Sequence, residues 1–122
     1  MEPLKLCDSD RRFMLLVWAH EPIHSAALVT LCQKELGWKK STTYTMIKKL
    51  SQKGYVQNVN STVTALIPQE QVQAFESGYV VDQSFSGSLP AFVASFISRH
   101  PLKESEIEEI QRLLARHTEG SV

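Results

Sequence analysis

The segment of residues 39–54 constrains the fold of this chain more than any other part of the sequence. Met46, Ile47 and Leu50 have the spacing that brings side chains together on one side of a helix. We assign hydroxyl and amino groups to the opposite side: Thr42, Thr43, Thr45, Lys48 and Lys49. Such groups on a rigid helix suit the phosphates and base edges of DNA. Gly54 provides the helix end, so the segment predicts a recognition helix.

The neighbouring segments predict a winged helix-turn-helix around this helix. Asp8, Ser9 or Asp10 can cap a first helix, and a second helix is expected from Ser25, its cap, to about residue 36. Residues 55–59 and 62–67 are rich in β-branched side chains, and the turn-prone Asn60-Ser61 separates them. We therefore predict a mainly α fold in which residues 1–68 form a winged-helix DNA-binding domain of three helices and a small β-hairpin.

Residues 69–122 predict further helices. The first, over residues 69–84, is expected to break or kink near Gly78, and Ser88 can cap the next with Pro90 in its first turn. Apolar side chains recur at helical spacing: Leu89, Phe92, Val93, Phe96, Ile97, Ile107, Ile110, Leu113 and Leu114. Short helices do not easily bury such stripes alone, so we interpret this part as a helical dimerisation region. A helical extension packed on its own winged helix is the alternative.

Charge and composition narrow the function. The net charge is zero, but residues 1–68 carry nine basic and five acidic groups (+4), and residues 69–122 carry four and eight (−4). This division favours nucleic-acid binding by the first part only, the alternative being two solvated faces. The sequence has no apolar run of the roughly 20 residues that a membrane span needs, and its start does not resemble a signal peptide, so we expect a cytoplasmic protein without membrane insertion.

The sequence offers little support for catalysis or metal binding. The four histidines are scattered, the two cysteines lack metal-ligand spacing, and the glycines form no phosphate-binding loop. We therefore expect that the protein is not an enzyme and has no cofactor or metal site. We expect both cysteines to be reduced thiols.

Short motifs follow one another along the chain: Met14 and Trp18; Pro22-Ile23; Gly37-Trp38; Thr42, Thr45, Lys49-Leu50 and Lys53-Gly54; Phe85-Ser86-Gly87-Ser88-Leu89; and Glu106-Ile107-Glu108-Glu109-Ile110. In order and spacing they resemble the penicillinase-repressor family over nearly the whole chain. The resemblance implies a homodimeric transcriptional repressor of a resistance-type operon, which binds an inverted-repeat operator in double-stranded DNA through its third helix.

Candidate DNA contacts combine the resemblance with side-chain chemistry. Lysines are expected at phosphates, and hydroxyl groups at base edges and nearby phosphates. The candidates are Lys39, Lys40, Ser41, Thr42, Thr43, Tyr44, Thr45, Lys48, Lys49 and Lys53. The second interpretation that remains open is a winged-helix protein-interaction module that does not bind DNA specifically.

The sequence departs from the family in three places. Residues 57–64 of the expected wing carry no charge, which favours weak wing contacts with DNA. Closely spaced C-terminal cysteines, which bind metal in copper-responsive members, are absent, and this excludes copper sensing by that route. Ser95-Phe96 takes the place of the Asn-Phe bond that a membrane sensor protease cuts in β-lactam-responsive members, so cleavage there is a hypothesis.

Overall fold

The computed structural model of this protein describes residues 5–120, which contain six helices and three short strands. The elements are α1 Asp8–His20, β1 Ile23–His24, α2 Ser25–Leu36, α3 Lys40–Gln52, β2 Val56–Val59, β3 Thr62–Ala65, α4 Gln69–Phe85, α5 Leu89–Arg99 and α6 Glu104–Gly120. This confirms the predicted fold class, a winged helix-turn-helix followed by helices. Residues 1–4, which carry part of the signal-peptide argument, and residues 121–122 lie outside the described residues.

Two compact units divide the chain, one up to Gly78 and the other from Tyr79 onwards. The core of the first unit is built from one face of each of its helices, with the hairpin strands. Its most deeply buried side chains are Phe13, Met14, Val17, Leu28, Cys32, Thr43, Leu50, Val56 and Val63. Trp38, just before α3, stacks on Phe13 with 6.2 Å between ring centroids. The entry of the chain into α3 is therefore fixed by the core.

A small antiparallel sheet with strand order β1-β3-β2 holds the wing. Asn60 and Ser61 both have positive φ, 52° and 62°, as in the two-residue turns whose twist suits a hairpin. The Ser25 N–H donates a hydrogen bond of 2.7 Å to the Ser61 carbonyl, so the hairpin tip is tied to the start of α2. The strand β1 was not predicted, because two residues after a proline carry no alternating pattern.

The helix starts and α4 correct several sequence expectations. The N-cap of α1 is Cys7, and His24 caps α2 by accepting a hydrogen bond of 3.1 Å from the Ala26 N–H. The predicted break near Gly78 is wrong, since one helix runs from Gln69 to Phe85, and a kink there stays a prediction. A glycine inside a helix costs only about 1 kcal/mol, which tertiary contacts elsewhere in a helix can offset.

The first turns of α4 pack on the winged helix. Val72 is buried in the core cluster, and Arg11 of α1 forms an ion pair with Glu76. The Trp18 indole N–H donates a hydrogen bond of 3.0 Å to the Ile67 carbonyl, just before the helix begins. These contacts extend the first compact unit past Pro68.

In the second unit, the predicted start of α5 is confirmed. Ser88 caps the helix by accepting a hydrogen bond of 3.1 Å from the Ala91 N–H, and Pro90 lies in the first turn. Phe92 contacts Phe85 edge-on at 5.4 Å between ring centroids, and Phe96 stacks on His100 at 4.5 Å. These aromatic contacts order α5 within its own unit.

Candidate nucleic-acid interface

The helix α3 has a buried face and an exposed face. Thr43, Met46, Ile47 and Leu50 are buried, as their spacing of three and four residues requires. With about 100° of rotation per residue, the opposite face is centred on Ser41, Thr45, Lys48 and Gln52, and all four are exposed. This polar strip is the part of α3 that is best placed to meet a DNA groove.

The structure corrects the predicted DNA contact of Thr43. Its side chain is 0% exposed, so in this structure it cannot reach a base or a phosphate. The sequence contained the signal, because Thr43 precedes Ile47 by four residues and Leu50 by seven, the spacing of one helix face. Its hydroxyl is buried without a well-formed hydrogen bond among the described residues. The neighbouring Cys32 thiol makes at most a weak contact with this hydroxyl. Burial of the thiol raises the pKa of Cys32, and this effect is larger than the lowering by the contact with Thr43.

Lys49 lies at the edge of the exposed face and is already paired. Its Nζ donates a hydrogen bond of 2.8 Å to Asp10 Oδ1 in the first turn of α1. The Asp10 side chain is 3% exposed and that of Lys49 41%. The hydrogen bond to Asp10 raises the pKa of Lys49. The role predicted for Lys49 at a phosphate stays a prediction, and it competes with this ion pair.

The other candidate lysines lie around the start, middle and end of α3. Lys39, Lys40, Lys48 and Lys53 are exposed. Lys40 Nζ lies 6.0 Å from the centroid of the Tyr44 ring, a cation–π distance that orients both side chains. Among the described residues, no side chain caps the start of α3, so its first amide groups are free to accompany Lys39 and Lys40 at an anion.

Sequence reasoning missed Gln52. It lies one turn after Lys48 on the exposed face, and a glutamine amide can form paired hydrogen bonds to adenine in the major groove. The signal was available, since four residues separate Gln52 from Lys48. Thr42, on the same edge of the face as Lys49, is also exposed, and its DNA contact stays a prediction.

The wing offers hydrogen-bonding groups and no charge. Residues 54–69 contain no lysine, arginine, aspartate or glutamate. Gln57, Asn58, Asn60 and Ser61 are exposed along the hairpin. The hairpin is anchored on its other side, where the Ala65 N–H donates a hydrogen bond of 2.9 Å to Glu21 Oε1. The positive charge around α3 therefore comes from the helix and its ends.

Comparisons with known proteins place this arrangement in a family. Residues 6–116 match the sequence model described as "Penicillinase repressor". The chain belongs to the penicillinase-repressor family. This confirms the resemblance, and members of the family are DNA-binding transcriptional repressors and not enzymes.

Individual relatives are distant but match over most of their length. The methicillin resistance regulatory protein MecI of Staphylococcus aureus strain Mu50 is 19% identical over 114 residues, which cover 90% of this chain and 93% of that protein. The protein of the same name from Mammaliicoccus sciuri is 18% identical, with the same coverage. An uncharacterized 16.5 kDa protein of Latilactobacillus sakei is 23% identical over 90% of this chain and 78% of its own length.

In this repressor, the candidate dimerisation residues lie on α5 and α6. Eight of the nine are exposed, with 40–61% of each side chain accessible, and Phe92 is half-buried. The candidate cleavage site lies within α5, where the Ser98 hydroxyl donates a hydrogen bond of 2.6 Å to the Ser95 carbonyl. A protease that requires an extended substrate would have to unwind this turn to reach the Ser95–Phe96 bond.

Neither a membrane-crossing helix nor a metal cluster is found in the described part of the repressor. None of the helices within residues 5–120 is both long and apolar enough to cross a bilayer. In the same residues, no group of three or more His, Cys, Asp or Glu side chains is placed to hold a metal ion.

Proposed function

We propose that this repressor binds an inverted-repeat operator as a homodimer, with the exposed face of α3 in the major groove, and controls a resistance-type operon. The observation that carries the proposal is the division of α3 into a core-anchored face and a strip of hydroxyl, amide and lysine side chains. Ser41, Thr42, Thr45 and Gln52 are the candidate base-edge and nearby phosphate contacts, and the exposed lysines are the candidate phosphate contacts. The proposal includes a cytoplasmic location, where a repressor meets its operator.

The apolar surface of α5 and α6 supports a second copy of this chain as the partner. Large exposed apolar side chains recur on both helices, among them Leu89, Phe96, Leu113 and Leu114. Helices that each expose several large apolar side chains are uncommon on monomers. A two-fold dimer presents two copies of α3, and half-sites about 34–36 Å apart, or a multiple of that distance, match one helical repeat of DNA.

The DNA proposal is tested by titrating labelled upstream DNA of its own operon, by fluorescence anisotropy at several salt concentrations. We expect salt-dependent binding to an inverted repeat, and Lys48→Ala should weaken binding to all sequences and reduce the log–log salt slope by about 1 for each phosphate that is no longer neutralised. Lys103→Ala, which removes an exposed lysine outside the winged helix, is the control and should change neither quantity. Salt-insensitive binding, or none, would support the alternative.

The alternative function is a winged-helix module that docks a protein partner through α3. The uncharged, anchored wing is the observation that favours it, because it removes one usual source of DNA contacts. Under this alternative, Lys48→Ala would leave DNA binding unchanged, because there would be no specific DNA complex to weaken.

The dimer proposal is tested with one charge placed on the apolar stripe of α6. Ile110→Asp should produce monomers in sedimentation velocity and lower operator affinity, since a buried unpaired charge is strongly unfavourable. Ser105→Asp adds the same charge on the opposite, exposed face of α6 and should leave the dimer intact. A dimer that persists in Ile110→Asp would contradict the assignment of this stripe.

The last component of the proposal is release of the repressor from its operator by proteolysis. The Ser95–Phe96 bond lies on the proposed dimer helix α5, so cutting it would separate the DNA-binding unit from the rest of the interface. Incubation with the membrane sensor protease encoded beside the operon should yield fragments that end at Ser95 in mass spectrometry. An intact chain after incubation would remove this step and leave the repressor proposal standing.

A further inference from the structure

A buried carboxylate lies behind the recognition helix. Asp10 is the one buried residue with a charged side chain in residues 5–120. Its Oδ1 accepts the hydrogen bond of 2.8 Å from Lys49 Nζ. A buried carboxylate without a cation is strongly unfavourable, so the structure around Asp10 depends on this partner.

Lys49 reaches Asp10 from the edge of the exposed face of α3. Thr45 lies four residues before it and Leu50 directly after it, so the pair connects to the helix between its DNA-facing strip and its buried strip. Apolar contacts along Met46, Ile47 and Leu50 tolerate small rotations of a helix, because they have no strong direction. A charged hydrogen bond to a carboxylate on another helix is directional and short-ranged. The pair therefore restrains the rotation and register of α3 on α1.

We propose that Lys49 is a positioning residue, which holds α3 at the orientation required for operator recognition through its ion pair with Asp10, and does not serve as a phosphate contact. Its neighbour Lys48, exposed at the centre of the strip, takes the phosphate role. This inference rests on the proposed function, since it assumes that α3 reads DNA.

The two roles give opposite results in a salt titration. A lysine that neutralises a phosphate contributes about 0.9 to the log–log slope, and its loss weakens specific and non-specific binding alike. A lysine that orients the helix contributes nothing to the slope, and its loss weakens operator binding more than binding to unrelated DNA. Asp10 sharpens the contrast, because removing a negative charge near DNA should improve affinity unless that charge is needed for orientation.

The experiment compares Lys48→Met, Lys49→Met, Asp10→Asn and the double variant Asp10→Asn/Lys49→Met on operator and unrelated DNA across salt. We expect Lys49→Met to bind the operator about tenfold more weakly, the size of one charged hydrogen bond, with an unchanged slope. Asp10→Asn should also weaken operator binding. The double variant should bind better than Lys49→Met alone, because the uncompensated carboxylate is gone. Lys49→Arg, which can keep the ion pair, should retain affinity and remains informative if Lys49→Met fails to fold.

Three outcomes would overturn the proposal: a slope reduced by about 2 in Lys49→Met, the loss of one phosphate contact from each subunit of the proposed dimer, operator affinity that is unchanged or improved in Asp10→Asn, or a double variant whose loss is the sum of the single losses. Lys48→Met separates this failure from failure of the proposed function. If Lys48→Met reduces the slope and Lys49→Met does so too, only the positioning role falls. If the unaltered protein shows no salt-dependent DNA binding, both proposals fall.

Discussion

The buried hydroxyl of Thr43 provides a direct test of the interior of α3. Thr43→Val replaces that hydroxyl with a methyl group of similar size, and both residues are β-branched with similar helix propensity. The side chain is fully buried and its hydroxyl has no well-formed hydrogen bond in residues 5–120. The substitution therefore removes a desolvated polar group without opening a cavity, and we expect the repressor to become more stable.

The size of the gain follows from two opposing contributions. An unsatisfied buried polar group costs about 1–3 kcal/mol. The weak contact with the Cys32 thiol recovers part of that cost, so the gain should lie near the lower end, at about 1 kcal/mol. With a urea dependence of about 2 kcal/mol per molar, the unfolding midpoint should rise by about 0.5 M.

The assay is urea unfolding followed by the fluorescence of Trp18 and Trp38, at one fixed protein concentration because dimerisation would alter apparent stability. Thr45→Val is the matched control: its exposed position predicts a change within about 0.5 kcal/mol. In the DNA titration we expect the larger effect from the other variant: Thr43→Val should keep its operator affinity, whereas Thr45→Val should lose some. Destabilisation of Thr43→Val by more than about 1 kcal/mol would show that the hydroxyl is hydrogen-bonded, and refute the reasoning.

Three further predictions concern other parts of the first unit. Val72→Ala should lower the unfolding free energy by about 2 kcal/mol in the same urea assay, whereas the exposed neighbour Gln73→Ala should have little effect; equal effects would contradict the packing of α4 on the winged helix. Iodoacetamide at pH 8 should modify Cys7 in the native protein and Cys32 only after unfolding, because Cys32 is buried and burial raises the pKa of its thiol; mass spectrometry of proteolytic peptides identifies which cysteine is modified, and early modification of Cys32 would contradict its burial. Because Asp10 raises the pKa of Lys49, the stability from this pair is complete below the ordinary lysine pKa of 10.5 and is lost as pH rises through the folded value. The stability difference between the unaltered protein and Lys49→Met should therefore shrink above about pH 10.5 in urea titrations, and a constant difference would exclude this linkage.

Local patterns were sufficient to predict much of the fold. The spacing of Met46, Ile47 and Leu50 predicted the helix α3. The position of Gly54 predicted its C-terminal end to within one residue of the observed end at Gln52. Asn60-Ser61 identified the hairpin turn, and Ser88 with Pro90 identified the start of α5. Each of these signals lies within a few residues of the element that it specifies, which is why one sequence could reveal it.

The features that sequence reasoning missed or misjudged depend on distant contacts or on one ambiguous residue. Gly78 is a helix breaker by propensity, but α4 continues through it. The pairing of Asp10 with Lys49 joins residues 39 positions apart, and no periodic pattern announces it. Thr43 is different, because its spacing from Ile47 and Leu50 placed it on the buried face, and its polar character was given too much weight.

The different roles proposed for the lysines of α3 limit how steeply DNA binding by the repressor can depend on salt concentration. If each subunit of the proposed dimer uses Lys39, Lys40, Lys48 and Lys53 at phosphates, eight contacts give a log–log salt slope no steeper than about −7. If Lys49 also contacted phosphate in both subunits, the limit would be about −9. The uncharged wing adds nothing to either value, so a measured slope steeper than about −7 would require a cation from elsewhere, and Lys49 would be the first residue to reconsider. We expect a slope no steeper than about −7 together with weakened operator binding by Asp10→Asn. That combination is the result expected when Lys49 orients the recognition helix and the other lysines contact phosphates.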